Sequence, residues 1–351
     1  MNMPNTGQAK TSILDLSLNA LSTFLYAKGL PSGRARQVLR WIYMKQINRF
    51  EEMTDLTCSL RYELATNFRL ERLHIAKKQI SCDGSYKFLF KLFDNEQIES
   101  VLIPEKNHYT LCISSQVGCT RNCLFCLTGK DGLKRNLTLG EIVSQVRDIV
   151  KMLADAGDAK PLTNIVFMGM GEPLDNYNNV IQAITVLTDN NWGLRLAARN
   201  ITVSTAGVVP RIYDLGRDAK VKLAISLNAV NDKIRNTLMP VNKEYPLAKL
   251  LKACQEYPLH KGQRITFEYI LLQGTNDTSK DAVQLAELLK GIKAKINLIP
   301  FNEHAGVAFK RPGDETVRAF ADLLCDKYKY TAMVRYSKGT DISAACGQLR
   351  G

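Results

Sequence analysis

After Pro104 the sequence alternates between short apolar segments typical of strands and longer segments with helical spacing. The strand-like segments cover residues 110–114, 164–168, 200–204, 222–226, 264–272 and 295–300. Helical segments fall between them, for example at residues 138–156, 178–188 and 279–290. Six strands that alternate with helices predict an α/β fold with a parallel sheet. Such sheets place their chemistry at the carboxyl ends of the strands, so functional residues are expected at that edge.

Upstream of this alternation the sequence favours short helices followed by two strands. Ser17 is a candidate cap for a helix that runs toward Lys28, and residues 34–45 and 58–68 carry apolar side chains at helical spacing. Two strands are predicted at residues 85–93 and 97–103, with the turn at Asp94-Asn95. We therefore expect a helical N-terminal domain over residues 1–75, a β-hairpin linker over 76–104, a core over 105–340 and a C-terminal tail over 341–351.

The chain carries 47 basic and 34 acidic side chains, and the positive surplus is spread along the sequence. This distribution suits a folded surface that meets a polyanion such as RNA, and it suits simple solubility equally well. No apolar run approaches the roughly 18 residues that span a bilayer. Residues 1–10 are polar and lack the apolar stretch of a signal peptide. We therefore expect a cytoplasmic protein without a membrane segment.

The nine cysteines are unevenly placed, and four of them fall between Cys112 and Cys126. An odd number of cysteines in a cytoplasmic chain argues against a disulfide framework. Cys119, Cys123 and Cys126 follow a C-x3-C-x2-C spacing, and three thiolates on one loop can hold three irons of a [4Fe-4S] cluster. The fourth iron is then open to a substrate, and S-adenosylmethionine can chelate it through its amino and carboxylate groups.

A structural zinc site is the main alternative for these cysteines. Zinc in such a site requires four closed ligands, usually as two C-x2-C-type pairs, and no second pair follows at zinc-finger spacing. The four histidines and the remaining cysteines (Cys58, Cys82, Cys254 and Cys325) form no ligand pattern. The spacing therefore favours an iron–sulfur cluster over zinc and over a chance grouping of core thiols.

Several motifs, in this order along the chain, resemble radical S-adenosylmethionine enzymes, and within them the RNA adenine methyltransferases of the RlmN type. The motifs are the cysteine segment at 112–126, Gly-Met-Gly-Glu-Pro-Leu at 169–174, the strand at 201–207, Asn-Leu-Ile-Pro at 297–300 and the tail segment at 341–349. The resemblance extends from about residue 100 to residue 351, and more loosely through the N-terminal part. It implies a partial (β/α)6 barrel with a small helical accessory domain, and it implies a [4Fe-4S] cluster and S-adenosylmethionine as cofactors.

The resemblance also implies a set of residues that bind S-adenosylmethionine. Gly171 and Glu172 would bind its amino end. The rest of the pocket would be lined by Ser204, Ser226, Leu227, Asn228 and Asn302. Taken alone, each of these five is an ordinary residue at the end of a strand. Asn228 replaces the histidine of the family, so a contact through the backbone would persist here and a contact through the imidazole would not.

Three further residues receive chemical roles from the resemblance. Cys346 corresponds to a cysteine that is methylated on sulfur, Cys112 to one that resolves the intermediate, and Glu99 to a carboxylate that accepts a proton. From the sequence pattern alone, Cys112 and Cys346 are two unrelated buried thiols. The pattern alone also predicts that Glu99 is a solvated carboxylate on a strand.

The chemistry of adenine explains why such an enzyme needs a radical route. Ring carbon 2 is electron-poor and cannot attack the sulfonium methyl group as a nucleophile, whereas a carbon-centred radical can add to it. One S-adenosylmethionine would methylate Cys346, and a second would yield a 5′-deoxyadenosyl radical that takes a hydrogen from that methyl group. After addition to the base, Cys112 would release the product with formation of a disulfide, which a reductant resets.

The implied substrates are an adenine in the peptidyl-transferase region of 23S ribosomal RNA and an adenine beside the anticodon of transfer RNA. The implied enzyme is a monomer that uses an electron donor such as flavodoxin. The N-terminal domain carries the basic residues Arg34, Arg36, Arg40 and Lys45. These residues would either bind RNA or form an ordinary solvated helix face.

Two alternatives remain open. The first is methylation of carbon 8 of adenine, but relatives with that activity carry Ala where this chain has Pro173. The second is a non-catalytic iron–sulfur protein that binds RNA. Formation of 5′-deoxyadenosine from S-adenosylmethionine distinguishes an enzyme from such a binding protein.

Overall fold

The computed structural model describes residues 10–31 and 33–351. Residues 1–9, on which the expectation about a signal peptide largely depends, lie outside the described residues. Within the described part of the chain, no helix is both long enough and apolar enough to cross a membrane.

The N-terminal region is helical, as expected. Its helices are α1 (Leu18–Ala27), α2 (Arg34–Tyr43) and α3 (Cys58–Asn67). The side chain of Ser17 accepts a hydrogen bond from the N–H of Ala20 (3.1 Å) and so caps α1 as predicted. A short parallel pair, β1 (Thr11–Ser12) and β2 (Phe68–Arg69), joins the two ends of this region. The buried faces of the helices belong to a hydrophobic core that continues into the rest of the chain.

The rest of the chain contains a large sheet and the helices that connect its strands. The strands are β3 (His74–Ile80), β4 (Tyr86–Lys91), β5 (Gln97–Pro104), β6 (Tyr109–Cys112), β7 (Gln116–Gly118), β8 (Leu133–Asn136), β9 (Leu162–Phe167), β10 (Ile201–Thr205), β11 (Lys222–Ser226), β12 (Ile265–Leu271), β13 (Ala294–Pro300) and β14 (Ala332–Val334). The helices are α4 (Leu139–Asp155), α5 (Tyr177–Thr188), α6 (Val209–Asp218), α7 (Asp232–Leu238), α8 (Leu247–Glu256), α9 (Ser279–Leu288) and α10 (Asp314–Asp322).

The large sheet has the strand order β14-β13-β12-β11-β10-β9-β6-β5-β4-β3. From β6 to β14 every neighbouring pair is parallel, and at least one helix connects each strand to the next. This succession is that of a partial (β/α)6 barrel, which confirms the predicted fold class. The carboxyl ends of these strands meet at one edge, where the cysteine loop also begins.

The hairpin region continues the same sheet in the antiparallel sense. Val101 of β5 lies opposite Cys112 of β6, and β4 and β3 follow outward. Residues 76–104, expected to be a linker, therefore lie mostly within the sheet that carries the core. The sequence predicted β4 and β5 but not β3. The reason is physical: β3 is an edge strand with mostly exposed side chains, so it shows no alternation between apolar and polar residues.

Three further strands outside the N-terminal region were not predicted. The strand β14 has only three residues, none of them buried, and it ends the parallel array. The strands β7 and β8 form a separate two-stranded sheet that brackets the cysteine loop. After β14 the tail has no α-helix or strand, only a single 3-10 turn at Thr340–Ile342.

Candidate active site

A cavity opens at the carboxyl ends of the central parallel strands, the edge at which functional residues were expected. Strand ends, the loop between β7 and β8, and the C-terminal tail form its wall. The predicted site residues that line it are Cys119, Cys123, Cys126, Gly171, Glu172, Ser204, Ser226, Asn228 and Cys346. The predicted site residues that do not line it are Glu99, Cys112, Leu227 and Asn302.

The three predicted cluster ligands lie on the loop between β7 and β8. At its start, Gly118 has a φ of +76°, and a Cβ there would lie 1.9 Å from the carbonyl oxygen of Gly132, so the loop requires glycine. The N–H of Cys119 donates to the same carbonyl (2.9 Å), and the N–H of Cys126 donates to the carbonyl of Cys123 (3.0 Å). These contacts close the loop, and the three partly buried cysteines line one wall of the cavity.

The three thiols of the cysteine loop do not converge on a single point. No three His, Cys, Asp or Glu side chains among the described residues converge closely enough to hold one metal ion, as tetrahedral zinc would require. In a [4Fe-4S] cluster each cysteine binds a different iron, so its ligands lie further apart. Burial raises the pKa of Cys119 to about 12, and the charges of Glu172 and Cys126 act in the same direction. A thiolate at this position therefore requires a cationic partner.

Arg121 ties the cysteine loop to the segment that follows Glu172. Its guanidinium forms a bidentate pair with the carboxylate of Asp175, in which Nε lies 2.7 Å from Oδ2. The hydroxyl of Thr120 donates to the same carboxylate (3.0 Å). Both members of the ion pair are mostly buried, so this contact fixes the loop relative to the glycine-rich turn. The sequence analysis did not identify either residue.

The glycine-rich turn after β9 approaches the rest of the site closely. Gly171 has a φ of +97°, and a Cβ there would lie 2.4 Å from Cβ of Gln116, so a larger residue would displace the turn. Glu172 is buried, and its two oxygens accept the N–H groups of Leu174 (3.0 Å) and Ala206 (2.7 Å). Burial raises the pKa of Glu172 to about 7, although these two hydrogen bonds oppose the shift. A ligand ammonium group beside it would favour the ionised carboxylate.

The ends of β10 and β11 contribute Ser204, Ser226 and Asn228 to the cavity wall. Asn228 has a φ of +57°, which asparagine tolerates better than most residues. Its Oδ1 accepts the N–H of Ile270 (2.9 Å) and its carbonyl accepts from Asn276 Nδ2 (2.8 Å). The side chain of Asn228 thus links the ends of β11 and β12 at the position where the resemblance led us to expect histidine.

Two of the predicted pocket residues face elsewhere. Leu227 is fully buried, and its carbonyl accepts a hydrogen bond from Arg235 (3.0 Å). Asn302 donates to the hydroxyl of Ser337 at the start of the tail (2.8 Å). Arg235, which the sequence analysis missed, also donates to the carbonyl of Ala206 (2.7 Å) and so links the ends of β10 and β11. A single arginine in a helical segment gave no signal of this role.

Glu268 of β12 is another cavity residue that the sequence analysis missed. It is 7% exposed, and its Oε1 accepts a hydrogen bond from Asn297 Nδ2 (2.9 Å). Asn297 lies in the Asn-Leu-Ile-Pro motif of β13, directly opposite Glu268 in the sheet. The motif was recognised in the sequence, but its partner on β12 was not, because the pairing depends on the register of two strands.

The tail reaches the cavity because the turn between β3 and β4 holds it. Asp341 accepts hydrogen bonds from Ser81 Oγ (2.6 Å) and from the N–H of Cys82 (3.0 Å). In the opposite direction, Asp83 accepts the N–H of Gly339 (2.8 Å). We refer to Ser81, Cys82 and Asp83 as the tail clamp.

Beyond Cys346 the tail is held by the cysteine loop. The N–H of Leu127 donates to the carbonyl of Gly347 (2.8 Å), and Thr128 Oγ1 donates to the carbonyl of Leu349 (2.6 Å). Cys346 is therefore fixed on both sides, by the tail clamp before it and by the cysteine loop after it. Its own side chain is exposed, and the surface that it exposes lies in the cavity.

Glu99 is buried, which corrects the pattern-based expectation of a solvated carboxylate. Its Oε1 pairs with Lys87 Nζ (3.0 Å), and its Oε2 accepts the N–H of Arg350 (2.9 Å). Lys87 also donates to the carbonyl of Ser343 (3.2 Å). The expectation was wrong because β5 is an internal strand covered by the tail, and a carboxylate buried there is paired.

Cys112 ends β6 with its thiol buried, opposite Val101 of β5. Glu99 and Val101 are two residues apart on β5, so Glu99 and Cys112 occupy the same face of the sheet. Burial raises the pKa of Cys112, and the charge of Cys346 acts in the same direction. Because the N–H of Arg350 donates to Glu99, the tail that carries Cys346 covers the face of the sheet on which Cys112 lies.

The basic residues named for the N-terminal domain lie on or just after α2. Arg34, Arg36, Arg40 and Lys45 are all exposed. They face solvent, which is compatible both with an RNA-binding surface and with a plain helix face.

Comparison with known families identifies two regions of the chain. Residues 113–289 match the model of the Radical SAM superfamily. Residues 11–70 match the model of the ribosomal RNA large subunit methyltransferase N-terminal domain. The first region contains the cysteine loop and strands β9 to β12, and the second contains α1 to α3.

Comparison with whole proteins finds relatives that cover nearly the full chain. The chain is 50% identical to the dual-specificity RNA methyltransferase RlmN of Desulfosudis oleivorans over 98% of its own length and 92% of the relative. It is also 50% identical to that of Geobacter sulfurreducens, over 97% and 92%. Among solved structures, a radical SAM methyltransferase from Sphaerobacter thermophilus superposes with a TM-score of 0.90 at 43% identity, covering 97% of this chain and 99% of that one.

Proposed function

The chain belongs to the RlmN family of radical S-adenosylmethionine enzymes, and from this premise we propose that it methylates carbon 2 of an adenine in RNA. The substrates would be an adenine in the peptidyl-transferase region of 23S ribosomal RNA and an adenine beside the anticodon of transfer RNA. The observation that carries the proposal is that Cys346 is exposed in the cavity that Cys119, Cys123 and Cys126 also line. A methyl carrier must be within reach both of the methyl donor and of the radical.

The residues of this chain would serve three roles, and the first is to bind the cluster and S-adenosylmethionine. Cys119, Cys123 and Cys126 would hold a [4Fe-4S] cluster, which supplies the electron that cleaves S-adenosylmethionine. The glycine-rich turn and the ends of β10 and β11 would bind S-adenosylmethionine, with Gly171 and Glu172 at its amino end. Asn228 would contribute through its backbone, because asparagine stands here in place of the histidine that the resemblance implied.

The second role is the transfer of the methyl group. Cys346 would take up the methyl group on sulfur and carry it to the base. Cys112, which the resemblance pairs with Cys346, would attack the sulfur of Cys346 and release the product with formation of a disulfide. Glu99, on the same face as Cys112, would accept the proton that leaves the base, through the second lone pair of an oxygen that already takes one hydrogen bond.

The third role is recognition of RNA and supply of electrons. The exposed basic residues of α2 and the net charge of +13 support binding to RNA phosphates. An adenine in a single-stranded loop is easier to extrude into the cavity than a base-paired one. We further propose a cytoplasmic monomer that receives electrons from a donor such as flavodoxin.

Analysis of the methylated nucleoside tests the proposal. The reconstituted protein is incubated with S-adenosylmethionine, reductant and either 23S ribosomal RNA or transfer RNA, and the digested RNA is compared by mass spectrometry with authentic standards. We expect 2-methyladenosine. Methylation of carbon 8 remains the second candidate, which Pro173 in the cavity wall disfavours, and 8-methyladenosine as the main product would establish it.

A further inference from the structure

The cavity wall carries two carboxylates, and they differ in what their oxygens bind. Glu172 uses one oxygen for the N–H of Leu174 and the other for the N–H of Ala206. Glu268 uses Oε1 for Asn297 Nδ2 (2.9 Å), and no protein donor in the described part of the chain reaches its Oε2. Glu268 is therefore the cavity carboxylate that has a free oxygen.

The position of Glu268 follows from strand register. It lies on β12, opposite Ser226 of β11 and Asn297 of β13. Directly paired residues in a parallel sheet point to the same face, so this side chain projects into the barrel with its neighbours. Glu268 and Cys346 line the same cavity, Glu268 from the strands and Cys346 from the tail.

The proposed reaction requires a proton acceptor at this place. Methylation replaces the S–H of Cys346 by S–CH3, and the thiolate is far more nucleophilic than the thiol. Although Cys346 exposes surface to the cavity, the protein around it raises the pKa of its thiol to about 11, and the negative charge of Glu268 is the largest further contribution. The thiol is therefore protonated at neutral pH, and Glu268 borders the cavity that this thiol also lines.

We propose that Glu268 accepts the thiol proton of Cys346 when S-adenosylmethionine methylates that sulfur. The inference rests on the proposed function. The S–H bond breaks and its proton passes to Oε2 of Glu268, while a sulfur electron pair of Cys346 forms the bond to the methyl carbon. The carbon–sulfonium bond breaks and leaves S-adenosylhomocysteine as a neutral thioether. Glu268 ends as a neutral acid, and no electron donor or acceptor takes part.

The surroundings of Glu268 suit this step. Burial raises its pKa, whereas the hydrogen bond from Asn297 and the positive charges of Arg335 and Lys295 oppose the shift. Because the net effect raises the pKa of Glu268, its carboxylate is a stronger base than an exposed one. Asn297 holds Oε1 and leaves Oε2 without a protein donor among the described residues, so Asn297 is a positioning residue for the proton acceptor.

The test compares Glu268→Gln with the wild type in the charging of Cys346. The rate at which the Cys346 peptide gains a methyl group is followed by mass spectrometry in a single turnover without RNA. We expect the Gln protein to be at least about 100-fold slower, because an amide of the same shape cannot accept a proton. Glu268→Asp should recover part of the rate. Asp281→Asn, at a buried carboxylate that caps α9, is the matched control and should charge normally.

Three readouts that do not depend on turnover distinguish a proton acceptor from a ligand contact or a structural residue. The affinity for S-adenosylmethionine, measured by equilibrium dialysis, and the iron content should be unchanged in Glu268→Gln. Alkylation of Cys346 by iodoacetamide, in protein without S-adenosylmethionine, should shift to lower pH, because loss of the negative charge favours the thiolate. A residue that acted only through its charge would therefore speed up methyl transfer when replaced.

The outcomes are distinct. Slower charging together with easier ionisation of Cys346 supports Glu268 as the proton acceptor. Charging that is equal or faster overturns it, and so does a loss of S-adenosylmethionine affinity, since Glu268 would then be a ligand contact. If the wild-type protein itself never methylates Cys346, the proposed function is wrong and this inference falls with it.

Discussion

The cysteine loop and the C-terminal tail both bring thiols to the same cavity, but they are held in opposite ways. The loop is closed by its own backbone, for example by the hydrogen bond between Cys119 and Gly132 (2.9 Å). The tail has almost no regular structure, and its position depends on residues about 260 positions away, as in the bond between Ser81 and Asp341 (2.6 Å). The loop can be formed from local sequence, whereas the tail requires a finished fold.

This difference matches the tasks proposed for the two regions. A cluster site needs three thiols in a fixed arrangement throughout the reaction. A methyl carrier must meet two partners in turn, the methyl donor and the RNA base. Hydrogen bonds at both flanks of Cys346 leave its side chain free in the cavity while they fix its backbone. The comparison predicts that substitutions of the loop cysteines remove the cluster, whereas substitutions in the tail remove only methyl transfer.

The largest effect is expected for the loop itself. Cys123→Ala should lose the cluster and all activity, because a [4Fe-4S] cluster held by three cysteines cannot persist on two. Anaerobically prepared wild-type protein should contain about four irons per chain, measured by colorimetric assay and by its absorption spectrum. Cys58→Ala, at an exposed thiol far from the loop in sequence, is the control. Full iron content in the Cys123→Ala protein would contradict the assignment of the loop.

The next effect concerns the tail thiol and its buried neighbour. Cys346→Ala should keep its iron and form no methylated RNA, because the carrier is missing. Cys112→Ala should still attack RNA through the methyl group on Cys346 and then stall, since no thiol can release the product. That protein should carry covalently bound RNA, visible as a nuclease-sensitive shift on a denaturing gel. If Cys112→Ala remained free of RNA under conditions of wild-type turnover, the two-cysteine route would not apply.

The same contrast explains what the sequence could and could not predict. The parallel strands β6 and β9 to β13 follow from local apolar patterns, and they were predicted from the sequence. The edge strand β3 was missed because its side chains are exposed, and Glu99 was misjudged because its burial depends on the tail that covers β5. Glu268 gave no signal, since only the register of β12 and β13 places it beside Asn297.

The pocket predicted to bind S-adenosylmethionine shows the same limit of sequence-based prediction at individual residues. Gly171 was identified from its motif, and a close approach to Gln116 requires glycine there. Asn228 was identified by its position in the chain, but the partner of its side chain, the N–H of Ile270, follows from the contact between β11 and β12. Sequence therefore predicts residues that work within one segment more readily than residues that work between segments.

A smaller effect is expected for the tail clamp. Asp341→Asn weakens the acceptor of two hydrogen bonds and should let Cys346 move within the cavity. Because small misplacements of reacting groups are costly, we expect roughly a tenfold drop in methylated RNA per 5′-deoxyadenosine formed. Iron content should be unchanged. Asp94→Asn, at the other turn of the hairpin region, removes a turn carboxylate that contacts Glu96 and Arg135, and it should leave this ratio intact. An unchanged ratio in Asp341→Asn would show that the clamp does not position the tail.

The smallest effect is expected where the tail meets the cysteine loop through an ion pair. Arg350 and Asp131 form this pair at 2.9 Å, but both side chains are at least half exposed, so solvent and salt screen the attraction. The backbone N–H of Arg350 donates independently to Glu99 and is untouched by a change at Asp131. Asp131→Asn should therefore change the ratio of methylated RNA to 5′-deoxyadenosine by less than about twofold, at low and at high salt alike. A loss as large as that of Asp341→Asn would mean that surface charge, and not the tail clamp, holds the methyl carrier against the loop.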